Sequence, residues 1–239
     1  MARQWRRGRP ARPTDGAGAC RWASTLPGGY PARVEQIKTE AGPAQVTLAE
    51  ASRPAFLMVM THGAGGGVDS ADVLAASRAA AGLGATVARV LQPYRVRGAR
   101  APGSADRQDA AWLEIVAALR DRYPRIPLVQ GGRSNGARVA CRTAAAAGAR
   151  AVVALAFPLH PPGRPDSSRA AELRQAGTDV LVVNGERDPF GIPASSDAAK
   201  VVVLPGETHA LSRHPAAVGQ AVGDWLSELL AADQRGGPR

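Results

Sequence analysis

The sequence predicts an α/β domain built on a doubly wound, mostly parallel sheet. Three observations lead there. Short apolar runs alternate along the chain with stretches patterned as amphipathic helices, the mark of βαβ units. The runs are apolar throughout, as expected of strands covered on both faces. The 239 residues suffice for one such domain with a substantial core but not comfortably for two.

Residues 1–33 are rich in Arg, Pro and Gly without apolar periodicity and read as a disordered basic extension. The domain is expected over residues 34–239. From Val34 to about Ser52, alternation such as Val46 and Leu48 suggests one or two edge strands. Phe56–Met60 is the first fully apolar run, ending in the glycine loop Thr61-His62-Gly63-Ala64-Gly65-Gly66-Gly67. A helix patterned on Val73, Leu74 and Leu83 follows, then a strand over Thr86–Leu91 and a loose loop at Pro93–Arg97. Trp112, Ile115, Val116 and Leu119 fall at i, i+3, i+4 and i+7 and predict a helix over Asp106–Tyr123, stopped by Pro124. Strands are expected at Ile126–Gln130, Ala151–Phe157, Asp179–Asn184 and Lys200–Leu204, with a short helix near Arg169–Ala176. A last helix starts near Ser212 and Pro215 and turns Val218, Val222, Trp225, Leu226 and Leu229 to the sheet.

Composition excludes several classes. No apolar run reaches membrane-spanning length, and Arg6-Arg7 is followed by Gly, Arg and Pro rather than by a signal-peptide core. Cys20 and Cys141 make neither a disulfide framework nor a metal site. A cytoplasmic, reduced setting is expected. The net charge of +10 could suggest nucleic acid, but residues 1–33 hold seven arginines against one acid, Asp15. The remaining +4 is spread over the rest, and arginine outnumbers lysine 28 to 2, which reads as coding bias. The charge therefore argues against a nucleic-acid partner.

The informative stretch is Gly132-Arg133-Ser134-Asn135-Gly136, between an apolar run and an Ala-rich helical pattern. This is G-x-S-x-G at a strand-to-helix turn, where crowding demands glycine and the serine is held out at the top of the sheet. A serine hydroxyl is a weak nucleophile without a base to take its proton, and the base needs an orienting acid. His209 follows the last strand, where catalytic groups gather in parallel sheets. Asp188 follows the strand before it, with Glu186 the weaker substitute. For the oxyanion, the backbone N–H groups of Asn135 and Ala64 are the expected donors. His62, Gly63, Tyr94 and His160 are expected around the substrate, with His62 also bracing the glycine loop and His160 shaping a pocket wall. His214, at a helix start, reads as solvated. No metal or organic cofactor is expected.

Thr61-His62-Gly63-Ala64-Gly65, the serine motif, Phe157-Pro158-Leu159-His160-Pro161-Pro162-Gly163 and Arg187-Asp188-Pro189-Phe190-Gly191 together resemble a small branch of the α/β-hydrolases. That branch is related to the dienelactone hydrolases and includes the hydrolase-like domain of a chromatin-complex subunit. The likeness covers roughly residues 45–232, and the chain order Ser134, Asp188, His209 matches the superfamily's order. Asn135 departs from the methionine usual after the serine, and Thr208 from the Asp or Gly usual before the histidine. The resemblance implies an α/β-hydrolase fold. The gap between Phe157 and Asp179 is too short for a cap domain, so the pocket should be open and shallow. Arg95 and Arg97 could favour anionic substrates or simply be solvated. The expected function is cleavage of small carboxylic esters or lactones through a Ser-Asp-His triad and an acyl-enzyme. The alternative is a non-catalytic protein-interaction module on the same fold. Oligomeric state is not legible.

Overall fold

The computed structural model describes residues 32–236. The basic extension expected over residues 1–33 therefore lies outside the described residues, apart from Ala32 and Arg33, which open the first strand. Strands β1 (Ala32–Thr39) and β2 (Gly42–Ala49) form an antiparallel hairpin. Beyond it run β3 (Phe56–Thr61), β4 (Ala85–Leu91), β5 (Leu128–Arg133), β6 (Ala151–Leu155), β7 (Asp179–Gly185) and β8 (Lys200–Leu204). All eight make one sheet in the order β1-β2-β4-β3-β5-β6-β7-β8. β2 pairs antiparallel with β4, and every pairing from β4 to β8 is parallel.

Among the described residues six α-helices flank the sheet: α1 (Ala71–Gly82), α2 (Pro93–Val96), α3 (Ala105–Arg120), α4 (Asn135–Ala147), α5 (Ala170–Arg174) and α6 (Pro215–Gly236). Side-chain alternation along the strands divides the core into two layers. Phe56, Met58 and Met60 of β3 pack with Val153, Leu155, Leu181 and Val183 beneath α1 and α6. Their neighbours Leu57 and Val59 face the other way, onto Trp112, Ile115 and Leu119 of α3. Farther along that same face, Val152, Ala154, Val180 and Val182 meet Ala137, Ala140 and Cys141 of α4 and Leu173 of α5. Full burial of each Leu, Val, Ile or Phe side chain contributes about 1.5–3 kcal/mol. This two-sided covering is why the strands read as unbroken apolar runs. Gln130 is the polar exception inside β5. It is fully buried, accepts from Trp112 Nε1 at 2.9 Å and donates to the Ala140 carbonyl at 2.7 Å, so it ties α3 and α4 to the sheet.

Two local expectations are corrected. Pro93–Val96 is a helical turn rather than a loose loop; Pro93 occupies its first position, where the missing N–H costs nothing. β6 ends at Leu155 rather than Phe157, because Ala156 turns into the left-handed region at φ 46°. Between β6 and β7 the chain forms only loops and the short α5, so no cap domain is inserted there. No helix among the described residues is long and apolar enough to cross a membrane.

Candidate active site

Parallel strands end at a common rim, and the loops after β3, β5, β6, β7 and β8 meet there. Ser134 follows β5 directly and precedes α4, with φ 52° and ψ −113°. That strained conformation is imposed from both sides. A Cβ on Gly132 would lie 2.6 Å from the Gly136 backbone, and one on Gly136 would lie 2.6 Å from the His62 carbonyl oxygen. The turn can therefore be this tight only with glycine at both positions.

His209 Nε2 lies 2.9 Å from Ser134 Oγ, and His209 Nδ1 lies 2.9 Å from Asp188 Oδ2. An ionised carboxylate only accepts, so Nδ1 carries the proton and Nε2 offers its lone pair to the serine hydroxyl. The Asp188 side chain is fully buried. Its other oxygen accepts the Phe190 N–H at 2.9 Å, while the Phe190 ring lies 4.2 Å, centroid to centroid, from the imidazole. The loops carrying Asp188 and His209 are laced together: Arg187 N–H donates to the Glu207 carbonyl at 2.8 Å, and Glu186 N–H to the Leu204 carbonyl at 3.0 Å. Glu186 is exposed and its carboxylate accepts the Gly206 N–H. It is thus a clamp between these loops, and Asp188 alone meets the histidine.

Asn135 and Ala64 keep backbone N–H groups with no acceptor among the described residues. That of Asn135 is at the first position of α4, where a helix has no internal partner for it. The loop bearing Ala64 is fixed from several directions. Tyr94 Oη donates to the Ala64 carbonyl at 3.0 Å, and Arg95 Nε donates to the Gly66 carbonyl at 3.1 Å. Arg95 also donates to the Ala99 carbonyl, and Arg97 donates to that of Ala41. Both arginines are spent on backbone, so neither is merely solvated.

Three residues expected around the substrate take other places. His62 is fully buried. Its Nε2 accepts the Gln92 N–H at 3.0 Å, so Nδ1 carries the proton and donates to the Gly63 carbonyl at 2.7 Å. Both nitrogens are occupied, and burial holds the imidazole below its ordinary pKa range. It braces the loop. Tyr94 is 5% exposed and spends its hydroxyl on Ala64; burial pushes that hydroxyl up to about 12. The ring of His160 lies against Gly191, where a Cβ would come within 2.4 Å of Nε2, and its backbone N–H donates to the Phe190 carbonyl. It backs the turn that carries Asp188. Gly63 does border the serine: a Cβ there would lie 3.3 Å from that of Ser134. His214 is exposed, and its backbone N–H donates to Glu207.

Sequence reasoning missed a buried line of amides. Asn135 Nδ2 donates to Gln108 Oε1, Gln108 Nε2 to Gln92 Oε1, and Gln92 Nε2 to Thr61 Oγ1. It joins the serine turn to the end of β3 through α3, and Asn135, the departure from the methionine pattern, is its first member. Glutamines at apolar-periodic positions were the only hint. Asn184 was also missed; it reaches the backbone of Phe157 and Gly191 and lies 3.4 Å from Asp188.

The chain belongs to the alpha/beta hydrolase domain family, whose model matches residues 54–212. Solved structures share the fold at low identity. A serine hydrolase without lid from Xanthomonas campestris is 21% identical, with a TM-score of 0.63 over 82% of this chain and 94% of its own. A dienelactone hydrolase from Anabaena variabilis is 16% identical, with a TM-score of 0.67 over 83% and 98%. The esterase domain of a Rhodothermus marinus protein is 16% identical, with a TM-score of 0.62 over 82% and 98%. No curated protein matches the sequence.

Proposed function

We propose that the protein is a serine hydrolase of small carboxylic esters or lactones, working through Ser134, His209 and Asp188. The observation that carries the reading is the unbroken line from Asp188 Oδ2 through His209 to Ser134 Oγ, with both contacts at 2.9 Å. Ser134 Oγ attacks the substrate carbonyl as His209 Nε2 takes its proton, and Asp188 stabilises the imidazolium. The N–H groups of Asn135 and Ala64 meet the oxyanion; one such donor lowers the barrier by roughly 3–4 kcal/mol. The imidazolium then protonates the leaving alcohol. Water, deprotonated by the same nitrogen, cleaves the acyl-enzyme and restores the serine. Esterases and a dienelactone hydrolase among the structural neighbours support the ester or lactone class.

Treatment with a fluorophosphonate tests this. The protein should be labelled, and Ser134→Ala should abolish labelling without changing the melting temperature. A folded protein that resists the probe would favour the non-catalytic module.

A further inference from the structure

The residue just before the serine in the motif does more than space the glycines. Arg133, at the end of β5, is only 19% exposed at its side chain. Its Nη2 donates to the backbone carbonyl of His209 at 2.8 Å. Its Nε lies 2.9 Å from Oδ2 of Asp72, a fully buried carboxylate in the first turn of α1. Its Nη1 lies against Gly63, where a Cβ would come within 3.1 Å. One planar fork thus touches the oxyanion loop, the start of α1 and the loop of the base.

Asp72 Oδ1 accepts the Val73 N–H at 2.9 Å, while its buried Oδ2 has no hydrogen bond and only the Arg133 guanidinium beside it as an ionic partner. Asp72 sits on the face of α1 that buries Val73 and Ala76, and burial pushes its carboxyl up while Arg133 pulls it back. A carboxylate in such a place is tolerable only beside a fixed cation. The pair makes sense if the guanidinium must be held at one spot and its charge offset near an imidazole that has to accept a proton.

We propose that Arg133 and Asp72 form a positioning pair that holds the His209 backbone and the Gly63 loop in fixed relation to Ser134. The inference rests on reading Ser134, His209 and Asp188 as nucleophile, base and orienting acid. Arg133 touches none of the reacting atoms and acts through the two loops. A lysine could not replace it, because a compact ammonium cannot span three contacts in one plane. The charged and titratable groups around the base are Asp188 after β7, Arg133 after β5 and Asp72 at the start of α1. Glu207 lies within the base's own loop, and His160 lies behind Gly191.

The test is the rate of fluorophosphonate labelling of the full chain between pH 5 and 9, separated into maximal rate and half-saturating concentration. Arg133→Lys keeps the charge and loses the fork. Its maximal rate should fall about tenfold or more, with the half-saturating concentration within about twofold and the midpoint of the acid limb unchanged. Asp72→Asn is isosteric and leaves the guanidinium without its counter-ion. Imidazolium is then disfavoured, and the acid-limb midpoint should move to lower pH. A purely structural ion pair would lower the melting temperature and leave that midpoint in place. A maximal rate for Arg133→Lys within about twofold of wild type, or an unmoved midpoint in Asp72→Asn, overturns the proposal. If Arg133→Lys does not fold, the Asp72→Asn midpoint decides alone. A wild type that resists the probe, or a Ser134→Ala variant labelled as fast as wild type, overturns the hydrolase reading itself, and this inference with it.

Discussion

The side chain of Asn184 holds the backbone of Phe157 from both sides: Oδ1 accepts its N–H at 2.8 Å, and Nδ2 donates to its carbonyl at 3.0 Å. The same Nδ2 donates to the Gly191 carbonyl at 3.1 Å. A single fully buried amide therefore joins the chain leaving β6 to the turn that carries Asp188. Asn184→Leu leaves these backbone groups buried without partners, at about 1–3 kcal/mol for each. A urea titration should show a loss of about 3 kcal/mol or more. An unchanged midpoint would mean the clasp contributes nothing.

Gly136→Ala should be among the most damaging single-methyl additions in the chain. The new Cβ would meet the His62 carbonyl oxygen at 2.6 Å and Thr61 Cγ2 at 2.8 Å. Neither can withdraw, since β3 lies inside the sheet, and overpacking of this kind costs about 1–3 kcal/mol or more. Gly65→Ala is the matched control, with nothing within 4 Å of its Cβ. Thermal melts should show a large drop for the first and almost none for the second.

Asn135→Met removes the donor to Gln108 Oε1 but keeps the backbone N–H at the start of α4. Stability should fall by about 1–3 kcal/mol, the cost of stranding a buried acceptor. Fluorophosphonate labelling should persist, because the oxyanion donor assigned to this residue is its backbone. Loss of labelling in a folded variant would show that the side chain itself is needed.

The imidazole of His62 makes stability depend on pH. Burial lowers its pKa in the folded protein, nearby Arg95 lowers it further, and the Gly63 carbonyl partly opposes both. The unfolded chain takes up the proton near pH 6.5 and the folded chain does not. Stability is therefore complete above that value and is lost as pH falls below it, levelling off beneath the folded pKa. The slope from this group is at most about 1.4 kcal/mol per pH unit. In His62→Gln that part of the slope should vanish; urea midpoints of both proteins between pH 5 and 8 measure the difference.

The strands and major helices could be read from the sequence because each carries a local signal. Phe56–Met60 and Ala151–Leu155 are continuous apolar runs, and Trp112, Ile115 and Leu119 keep a helical period. Pro93–Val96 was obscured because one helical turn has too few residues to show a period. Ser134, Asp188 and His209 could be named because each sits just beyond a recognisable strand. The roles of Arg133, Asp72, Asn184 and the Gln92–Gln108 line could not. Each depends on a side chain meeting a segment distant along the chain, and nothing local distinguishes such an Arg or Gln from a solvated one. The same holds for His62 and Tyr94, whose place just beyond a strand was visible but not the direction in which their polar atoms are spent.

The run from Ala156 to Thr178 builds no roof over the rim where the loops meet. That segment offers an arriving molecule no inserted domain to displace. For a substrate of the kind proposed, discrimination would then rest on the contour of the loops at the rim rather than on a domain folded over them.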